Sequence, residues 1–165
     1  MRNVVLELST DGLRLPGEGD APGVPWPTAP SDVDEHDNPL AELLGRDGGR
    51  LPRTVSLEVS GDVAPLRTLH DLPPVRYRDL QDLVQQNQAR YFRTRRSPLL
   101  TSARWGAQGR TGRRARAAAV SADDLLSFEA ALAEIGVTLE RIDVLDGDGP
   151  PHPVQTPAIE QRRRT

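Results

Sequence analysis

A histidine beside a carboxylate is the arrangement in this sequence that comes nearest to acid–base chemistry. His70 is followed directly by Asp71 at the end of a predicted strand, and such a pair can exchange protons with a substrate. Adjacent residues of a strand point to opposite faces, however, so the two side chains are not expected to work together. No serine or further carboxylate completes a recognisable motif. The sequence predicts no catalytic residue, and we expect a protein that is not an enzyme.

Metal and thiol chemistry have equally little support. There is no cysteine, which excludes disulfides, thiolate metal sites and a catalytic thiol. His36 lies in the acidic stretch SDVDEHD, but this stretch belongs to a Pro- and Gly-rich loop that would not fix a metal geometry. The run DGDG at residues 146–149 lacks the spacing of a calcium-binding EF-hand loop and is interpreted as a turn. We expect no metal and no cofactor.

The basic residues are concentrated in the middle of the chain. All 21 are arginine, and nine of them lie between Leu83 and Ala122, where there is no Asp or Glu. Clustered arginines can contact phosphates, which makes an RNA- or DNA-binding module the alternative function. Against this alternative, Trp105 is the only aromatic residue on the predicted central strands. The paired aromatics on which RNA-binding sheets stack bases are missing.

Length and composition indicate one domain with a small aliphatic core. The chain has 165 residues, of which 36% are hydrophobic and 4% aromatic, and Gly and Pro contribute 14 and 15. A sizeable part of the chain is therefore expected in loops. No apolar run approaches the roughly 20 residues that a membrane-spanning helix needs, and the start of the chain lacks a signal-type core. We expect a cytoplasmic protein that reaches the inner-membrane face, if at all, through a partner.

Four segments are expected along the chain. Residues 1–15 form an N-terminal β-hairpin packed on the core, because apolar residues alternate in VVLEL before a Thr-Asp-Gly turn. Residues 16–38 are a linker rich in Pro, Gly and acid. Residues 39–145 are the core domain, which begins with a short helix capped by Asn38. Residues 146–165 are expected to be a disordered tail.

Two amphipathic helices and four strands make up most of the core domain. The first helix, over residues 77–92, has one apolar stripe at helical spacing, and the second is capped by Ser121 and stops at Gly136. Over residues 66–144 the order is strand, helix, strand, strand, helix, strand. This order predicts an α+β fold of the ferredoxin-like βαββαβ type, with an antiparallel sheet and both helices on one face. A β-hairpin, a loop and a short helix precede it.

Acylphosphatase-type hydrolases share this strand order and give a third interpretation. Their site needs a phosphate-binding loop with a positioned Arg and a partner Asn. The nearest candidates here, Arg93 and Asn87, do not lie in a Gly-rich loop of that kind. Hydrolysis is therefore not the expected function.

Short landmarks in the chain resemble a family of bacterial assembly proteins. Leu-Pro at residues 72–73 ends a strand, an aromatic pair at residues 91–92 closes the next helix, and Ile-Gly at residues 135–136 ends the second helix. With these landmarks the chain resembles the N-terminal half of the actin-like pilus-assembly proteins of the PilM kind. It is also similar to the cytoplasmic half of the type II secretion protein GspL. The resemblance covers residues 4–144.

The resemblance implies an adaptor rather than an ATPase. Nucleotide-binding members of the family begin with an Asp-X-Gly phosphate turn, whereas VLELSTDG offers Glu7 and Ser9 at that place. The second half of the actin fold, which carries the rest of the nucleotide cleft, is not expected in this chain. A nucleotide held by one wall of its cleft would bind weakly.

These observations favour a docking protein. We expect a non-catalytic interaction protein that resembles a truncated platform component of type IV pilus or type II secretion machinery. Its partner would be a protein in an envelope-associated assembly, bound by the helix over residues 77–92 or by an exposed strand edge. Aromatics and arginines dominate protein-binding hot spots. The expected partner-binding residues lie on this helix, after it and on the next strand: Asp79, Asp82, Tyr91, Phe92, Arg93, Arg95, Arg96 and Trp105.

Overall fold

Two β-sheets with helices packed against them form the fold. The computed structural model describes residues 4–19, 21–26, 38–46, 48–93, 98–106, 113–147 and 149–165. The strands in these ranges are β1 Val4–Ser9, β2 Gly12–Arg14, β3 Thr54–Val59, β4 Leu66–Leu69, β5 Leu99–Trp105, β6 Ala115–Ser121, β7 Thr138–Val144 and β8 His152–Val154. The helices are α1 Pro39–Gly45, α2 Tyr77–Gln86, α3 Gln88–Phe92, α4 Ala122–Glu134 and α5 Pro157–Arg164. Each of these helices is too short or too polar to cross a lipid bilayer.

The first sheet has the strand order β2-β1-β3-β7-β8. Its central strands β1, β3 and β7 are parallel, and β2 and β8 are antiparallel to their neighbours. Alternation along the central strands places Leu6, Leu57 and Ile142 in the large apolar core. Helices α1 and α4 contribute Leu40 and Phe128 to the same core, and both side chains are fully buried.

Helices α1 and α4 begin at the capping residues that the sequence predicts. Asn38 Oδ1 accepts a hydrogen bond from the N–H of Leu40 at 3.0 Å, and Asn38 Nδ2 donates to the carbonyl of Ala131 in α4 at 3.2 Å. Ser121 Oγ accepts from the N–H of Asp124 at 3.3 Å. Asn38 therefore both caps α1 and ties it to α4.

The second sheet has the order β4-β6-β5 and is antiparallel throughout. On one face, apolar residues of α2 and α3 pack on the small side chains of Ala115, Ala117 and Ala119 in β6. The alternate residues Ala118 and Val120 belong to the core of the first sheet. Strand β6 is therefore buried on both faces, with α2 on one side and α4 on the other.

The α+β class expected from the sequence is confirmed, and the pairing within it differs from the expected ferredoxin-like layer. Strand β7 does not join β4, β5 and β6 but pairs in parallel with β3. The pairing begins where the N–H of Thr138 donates to the carbonyl of Arg53 at 3.0 Å. Because β6 is buried on both faces, α4 packs opposite α2 instead of beside it. The order of elements along the chain does not determine which strands pair.

The expected helix over residues 77–92 is divided at Asn87. This residue has φ −110° and ψ 23°, outside the helical region. Its Nδ2 donates to the carbonyl of Leu83 at 2.8 Å. Asparagine competes in this way with helical backbone bonds, and two shorter helices result.

The segment expected to be a disordered tail, residues 146–165, forms β8 and α5. β8 extends the first sheet beside β7. Thr156 Oγ1 caps α5 by accepting from the N–H of Ile159 at 3.2 Å. His152, Val154 and Ile159 are each no more than 2% exposed. Burial of these few side chains holds a segment whose overall composition is polar.

Part of the predicted linker, residues 16–38, packs on the first sheet. Val24 and Leu13 exchange two backbone hydrogen bonds of 2.9 and 2.8 Å. The ring of Trp26 lies against Phe128, with 5.4 Å between ring centroids. Residues 27–37, which include the acidic stretch around His36, lie outside the described residues.

Candidate functional site

Glutamine side chains of α2 bind the free edge of β5. This strand lies at one edge of the second sheet, so alternate backbone groups point away from β6. Gln85 Nε2 donates to the carbonyl of Leu99 at 2.7 Å, and Gln85 Oε1 accepts from the N–H of Thr101 at 2.9 Å. Gln81 Oε1 accepts from the N–H of Ala103 at 3.1 Å, and its Nε2 donates to the carbonyl of the same residue.

The spacing of the glutamines matches the spacing of the strand. Gln81 and Gln85 are four residues apart, which is about 6 Å along a helix. Outward-facing residues of a strand repeat at about 6.7 Å. Gln88, in α3, accepts from the N–H of Leu99 and extends the series. The amides take the place of a neighbouring strand, so another strand can add to β5 only by displacing them.

Strand β4, at the opposite edge of the same sheet, has no such cover. The carbonyl of Pro65 accepts from the N–H of Ala119 at 3.1 Å, which sets the alternation of the ladder between β4 and β6. By that alternation the backbone groups of Leu66 and Thr68 point away from β6. No residue in the described ranges forms a hydrogen bond to them outside the ladder. The β4 edge can therefore accept an extended segment.

The surroundings of the β4 edge are basic. Arg67 lies on β4 and is exposed, and Arg90 and Arg93 are exposed on or beside α3, which packs next to β4. Thr68 Oγ1 accepts from Arg116 Nη1 at 3.2 Å. Free backbone groups beside arginines favour an extended ligand with negative charge.

The expected partner-binding residues around α2 and α3 have different environments. Asp79 and Asp82 are exposed on α2, and Arg93 is exposed at the end of α3 with φ 49°. Tyr91 is half-buried. Phe92 is only 6% exposed and packs in the core between the helices and the second sheet. Phe92 is thus a packing residue, while the other four stay predicted contacts.

Trp105 ends β5 and is half-buried. The guanidinium of Arg113 lies 5.9 Å from the centre of its ring, a cation–π contact. Arg95 and Arg96 lie outside the described residues. The structure therefore brings Trp105 together with an arginine, and Trp105 packs against the same core cluster as Tyr91 and Phe92.

Asp146 collects three basic side chains between the two sheets. Arg116 donates to it twice, from Nε to Oδ2 at 2.9 Å and from Nη2 to Oδ1 at 3.2 Å. Arg104 Nη2 and His152 Nε2 lie 3.3 and 3.2 Å from Oδ2. Arg104 also donates to the carbonyl of Pro150. Because the arginines belong to the second sheet and the histidine to the first, this Asp146 cluster joins the sheets.

Charge and burial shift the pKa values in the Asp146 cluster. The hydrogen bond from Arg116 lowers the pKa of Asp146 from 3.8 to about 2, and raises the pKa of Arg116. Burial lowers the pKa of His152 below its ordinary 6.5, against the opposing effect of its bond to Asp146. A carboxylate with so low a pKa is a weak base. The same bonds that lower the pKa of Asp146 join the two sheets.

A cleft of about 500 Å³ opens at the turn of the N-terminal hairpin, where the resemblance implies a phosphate turn. Its lining residues are Ser9, Thr10, Asp11, Gly12, Gly23, Pro25, Trp26 and Val63. None of these residues is basic, so a phosphate bound here would lack a cationic partner in the lining. Within the described residues, no group of three or more His, Cys, Asp or Glu side chains is arranged to hold a metal ion.

Sequence reasoning missed both the glutamine series and the Asp146 cluster. Residues 81, 85 and 88 are glutamines at the i, i+4, i+7 spacing of one helix face, and that spacing is a signal that could have found them. Asp146 lies in a turn, as expected, since its carbonyl accepts from the N–H of Gly149 at 2.8 Å. Its side chain binds arginines that are 30 and 42 residues away, and no local pattern indicates that.

The fold is similar to that of a chain in the solved structure of a PilM-PilN type IV pilus biogenesis complex. The TM-score is 0.55 and the sequence identity 16%. The match covers 87% of this chain and 47% of that chain, so this chain spans about half the length of its structural neighbour. No protein-family model and no curated protein sequence matches the chain. The resemblance inferred from the sequence landmarks is confirmed as a distant relationship of fold.

Proposed function

We propose that this chain is a non-catalytic assembly protein that binds a protein partner in type IV pilus or type II secretion machinery. The observation that carries the proposal is the fold, which is similar over 87% of the chain to a component of a pilus biogenesis complex. That neighbour was solved as part of a complex, which supports a protein as the ligand. A position on the cytoplasmic side of the envelope belongs to the same proposal.

The β4 edge is the docking surface that we favour. An extended segment of the partner would pair with the outward backbone groups of Leu66 and Thr68. Acidic side chains of that segment would lie near Arg67 and Arg93. Strand β5 is a poorer edge, because a partner strand would first have to displace the glutamine amides.

The exposed face of α2 is a competing surface within the same proposal. It carries Asp79 and Asp82, and it begins with Tyr77, which is 56% exposed. A partner bound there would present basic side chains instead of acidic ones. The two surfaces therefore predict partners of opposite charge.

Catalysis and nucleic-acid binding have less support than docking. The hairpin cleft has no basic lining residue, and the carboxylate of Asp146 is engaged by Arg104, Arg116 and His152. Two arginines of the arginine-rich centre, Arg104 and Arg116, are held by Asp146 rather than free for phosphates. No observation in the described residues specifically favours catalysis or nucleic-acid binding.

Co-purification of the full chain from its native cell tests the function, and surface variants test the site. We expect a pilus or secretion component to co-purify with the chain. Its binding is then reconstituted from purified proteins. Thr68→Pro removes an outward N–H while leaving the ladder to β6 intact, so it should abolish binding at the β4 edge. Thr68→Ala keeps that N–H and is the matched control, which should still bind.

A second pair of substitutions separates the two surfaces. Asp79→Asn combined with Asp82→Asn removes the acidic charge of α2 and should leave binding at the β4 edge unchanged. Loss of binding in this variant, with full binding by Thr68→Pro, would move the docking site to α2. Recovery of no envelope-machinery component from the native cell would overturn the proposed function itself.

A further inference from the structure

A second cavity, of about 480 Å³, lies between α5 and the first sheet, at the end of the sheet opposite the hairpin turn. We call it the basic cavity. Its lining residues come from β3, β7 and α5: Thr54, Ser56, Thr138, Glu140, Arg141, Ile159, Arg162 and Arg163. Cavities of this size hold small organic ligands. None of its lining residues belongs to β4, so it has no part in the proposed docking.

The charges around the basic cavity leave two guanidinium groups without an acidic partner. Arg141 Nε lies 2.5 Å from Asp143 Oδ2, so its charge is compensated. Arg162 donates to a backbone carbonyl of β7, which fixes the guanidinium at the cavity without neutralising it. Arg163 forms no hydrogen bond or ion pair with any other described residue. The lining contains one further charge, the carboxylate of Glu140.

A β-bulge in β7 shapes the cavity. Val55 pairs with Leu139 and the next residue, Ser56, pairs with Arg141, so Glu140 is an extra residue in the ladder. An extra residue bends its strand and redirects the side chains beside it. Bulges in general are over-represented next to active sites, although few of them lie in parallel pairs such as this one.

Hydroxyl groups complete the set of donors. Thr54 and Thr138 are paired directly across β3 and β7, and both are half-buried in the cavity wall. Guanidinium groups bind phosphate oxygens with charge-assisted hydrogen bonds, and hydroxyl groups donate one further bond each. No aromatic side chain lines the cavity, so it offers no ring on which a nucleobase would stack.

We propose that the basic cavity binds a small phosphate-bearing anion. Arg162 and Arg163 would contact phosphate oxygens, and the hydroxyl groups of Thr54 and Thr138 would donate further hydrogen bonds. The anion has two sources with the same chemistry, a soluble phosphate ester or diphosphate and the headgroup of an anionic lipid. The arginine-rich end of α5 is exposed and can reach either source.

Two binding measurements on the full chain distinguish the sources. Isothermal titration calorimetry with inorganic pyrophosphate in low-salt buffer tests the soluble ligand. Flotation with vesicles of phosphatidylglycerol and phosphatidylcholine, against vesicles of phosphatidylcholine alone, tests the headgroup.

In the variant Arg162→Gln with Arg163→Gln, binding should weaken about tenfold or more, because hydrogen bonds to charged groups are lost. Thr138→Val keeps the side-chain shape and should weaken binding about fivefold through one lost hydroxyl.

A charge-matched control separates a site from general attraction. Arg76→Gln with Arg78→Gln removes the same charge from two exposed residues at the start of α2 and should bind like the wild type. Circular dichroism and thermal unfolding check that each variant folds, and Arg163→Gln alone replaces the double variant if that variant unfolds. If Arg162→Gln with Arg163→Gln weakens pyrophosphate binding and the control does not, the result supports a soluble ligand. If the same variant weakens vesicle binding and the control does not, the result supports a headgroup. Absence of both in the wild type, or equal weakening in the control, overturns the proposal.

Discussion

Gln85 Oε1 lies 2.9 Å from the backbone nitrogen of Thr101, so a helix side chain occupies the place of a neighbouring strand. The same oxygen accepts from Thr101 Oγ1 at 2.8 Å. Together with Gln81, this contact closes β5, while β4 has no equivalent cover. A sheet with one closed and one open edge gives a partner strand a single place to add.

Replacing Gln81 and Gln85 by alanine should destabilise the protein and open β5. The N–H and C=O groups of Leu99, Thr101 and Ala103 that these amides bind would lose their partners. Partly buried groups left unpaired cost about 1–3 kcal/mol in the free energy of unfolding. Urea unfolding measures this loss, and sedimentation velocity should detect self-association through the opened edge.

Gln86→Ala is the matched control, because Gln86 is an exposed residue of the same helix. It should change the free energy of unfolding by less than about 0.5 kcal/mol and leave the association state unchanged. If the double variant were as stable as this control and associated no more than the wild type, the glutamines would not be acting as a substitute strand.

Asp146→Asn should weaken the connection between the two sheets. It leaves the guanidinium groups of Arg104 and Arg116 partly buried without a counter-charge. The free energy of unfolding should fall by about 2 kcal/mol or more, as expected when one member of a partly buried charge cluster is removed. Chemical unfolding at neutral pH gives the value.

The control for this prediction is Glu160→Gln, which breaks the pair between Glu160 and Arg164 in α5. These side chains are 55% and 77% exposed, and exposed pairs contribute less than about 1 kcal/mol. Similar losses in Asp146→Asn and Glu160→Gln would mean that the Asp146 cluster does not hold the sheets together.

Acidification should destabilise the protein in two steps. Burial holds the pKa of His152 below 6.5, so below that pH the unfolded chain binds a proton that the folded chain does not. Arg116 holds the pKa of Asp146 at about 2, so a second loss follows as the pH falls from 3.8 towards 2. The contribution of both groups to the free energy of unfolding is therefore fully present only above pH 6.5.

Substitution of His152 isolates the upper step. In His152→Gln the decline of the free energy of unfolding just below pH 6.5 should be shallower than in the wild type. His70→Gln changes an exposed histidine and should leave the decline unchanged. Urea midpoints measured across this pH range decide the matter, and identical curves for His152→Gln and the wild type would contradict the prediction.

Local signals in the sequence identify most of the elements but not their pairing. Asn38 and Ser121 are predicted helix caps, and each caps a helix in the structure. The strand over residues 138–144 is equally recognisable, yet its pairing with β3 joins residues 84 or 85 positions apart, and no local pattern encodes that contact. Strand pairing is decided by packing of both sheet faces, and here β6 is buried on both.

The C-terminal segment carries the same helix-start signal as α1. Thr156 precedes Pro157 as Asn38 precedes Pro39, and both pairs form an N-cap followed by proline at the first helical position. The segment PAIEQRRR is mostly polar, and its composition alone indicates disorder rather than a helix. The basic cavity is lined by that helix, so a prediction of disorder for the segment excludes the cavity as well.

Gly12 fixes the N-terminal hairpin against the segment that follows it. Its φ of +103° is one that L residues rarely adopt, and a Cβ here would collide with the carbonyl of Val24. That carbonyl accepts from the N–H of Leu13 at 2.8 Å and docks residues 21–26 on β2. Gly12→Ala should therefore lower the free energy of unfolding by about 2 kcal/mol or more.

Gly19→Ala provides the comparison for this prediction, because Gly19 has open space around its Cα and no positive φ. Its free energy of unfolding should stay within about 0.5 kcal/mol of the wild type. Thermal unfolding of the two variants in the same buffer gives the difference.

Gly12→Ala should also lose part of the packing of Trp26 on Phe128, because Trp26 lies two residues after Val24. Tryptophan emission in a Trp105→Phe background should then shift to the red, and an unshifted, equally stable Gly12→Ala protein would show that the hairpin tolerates a side chain at this position.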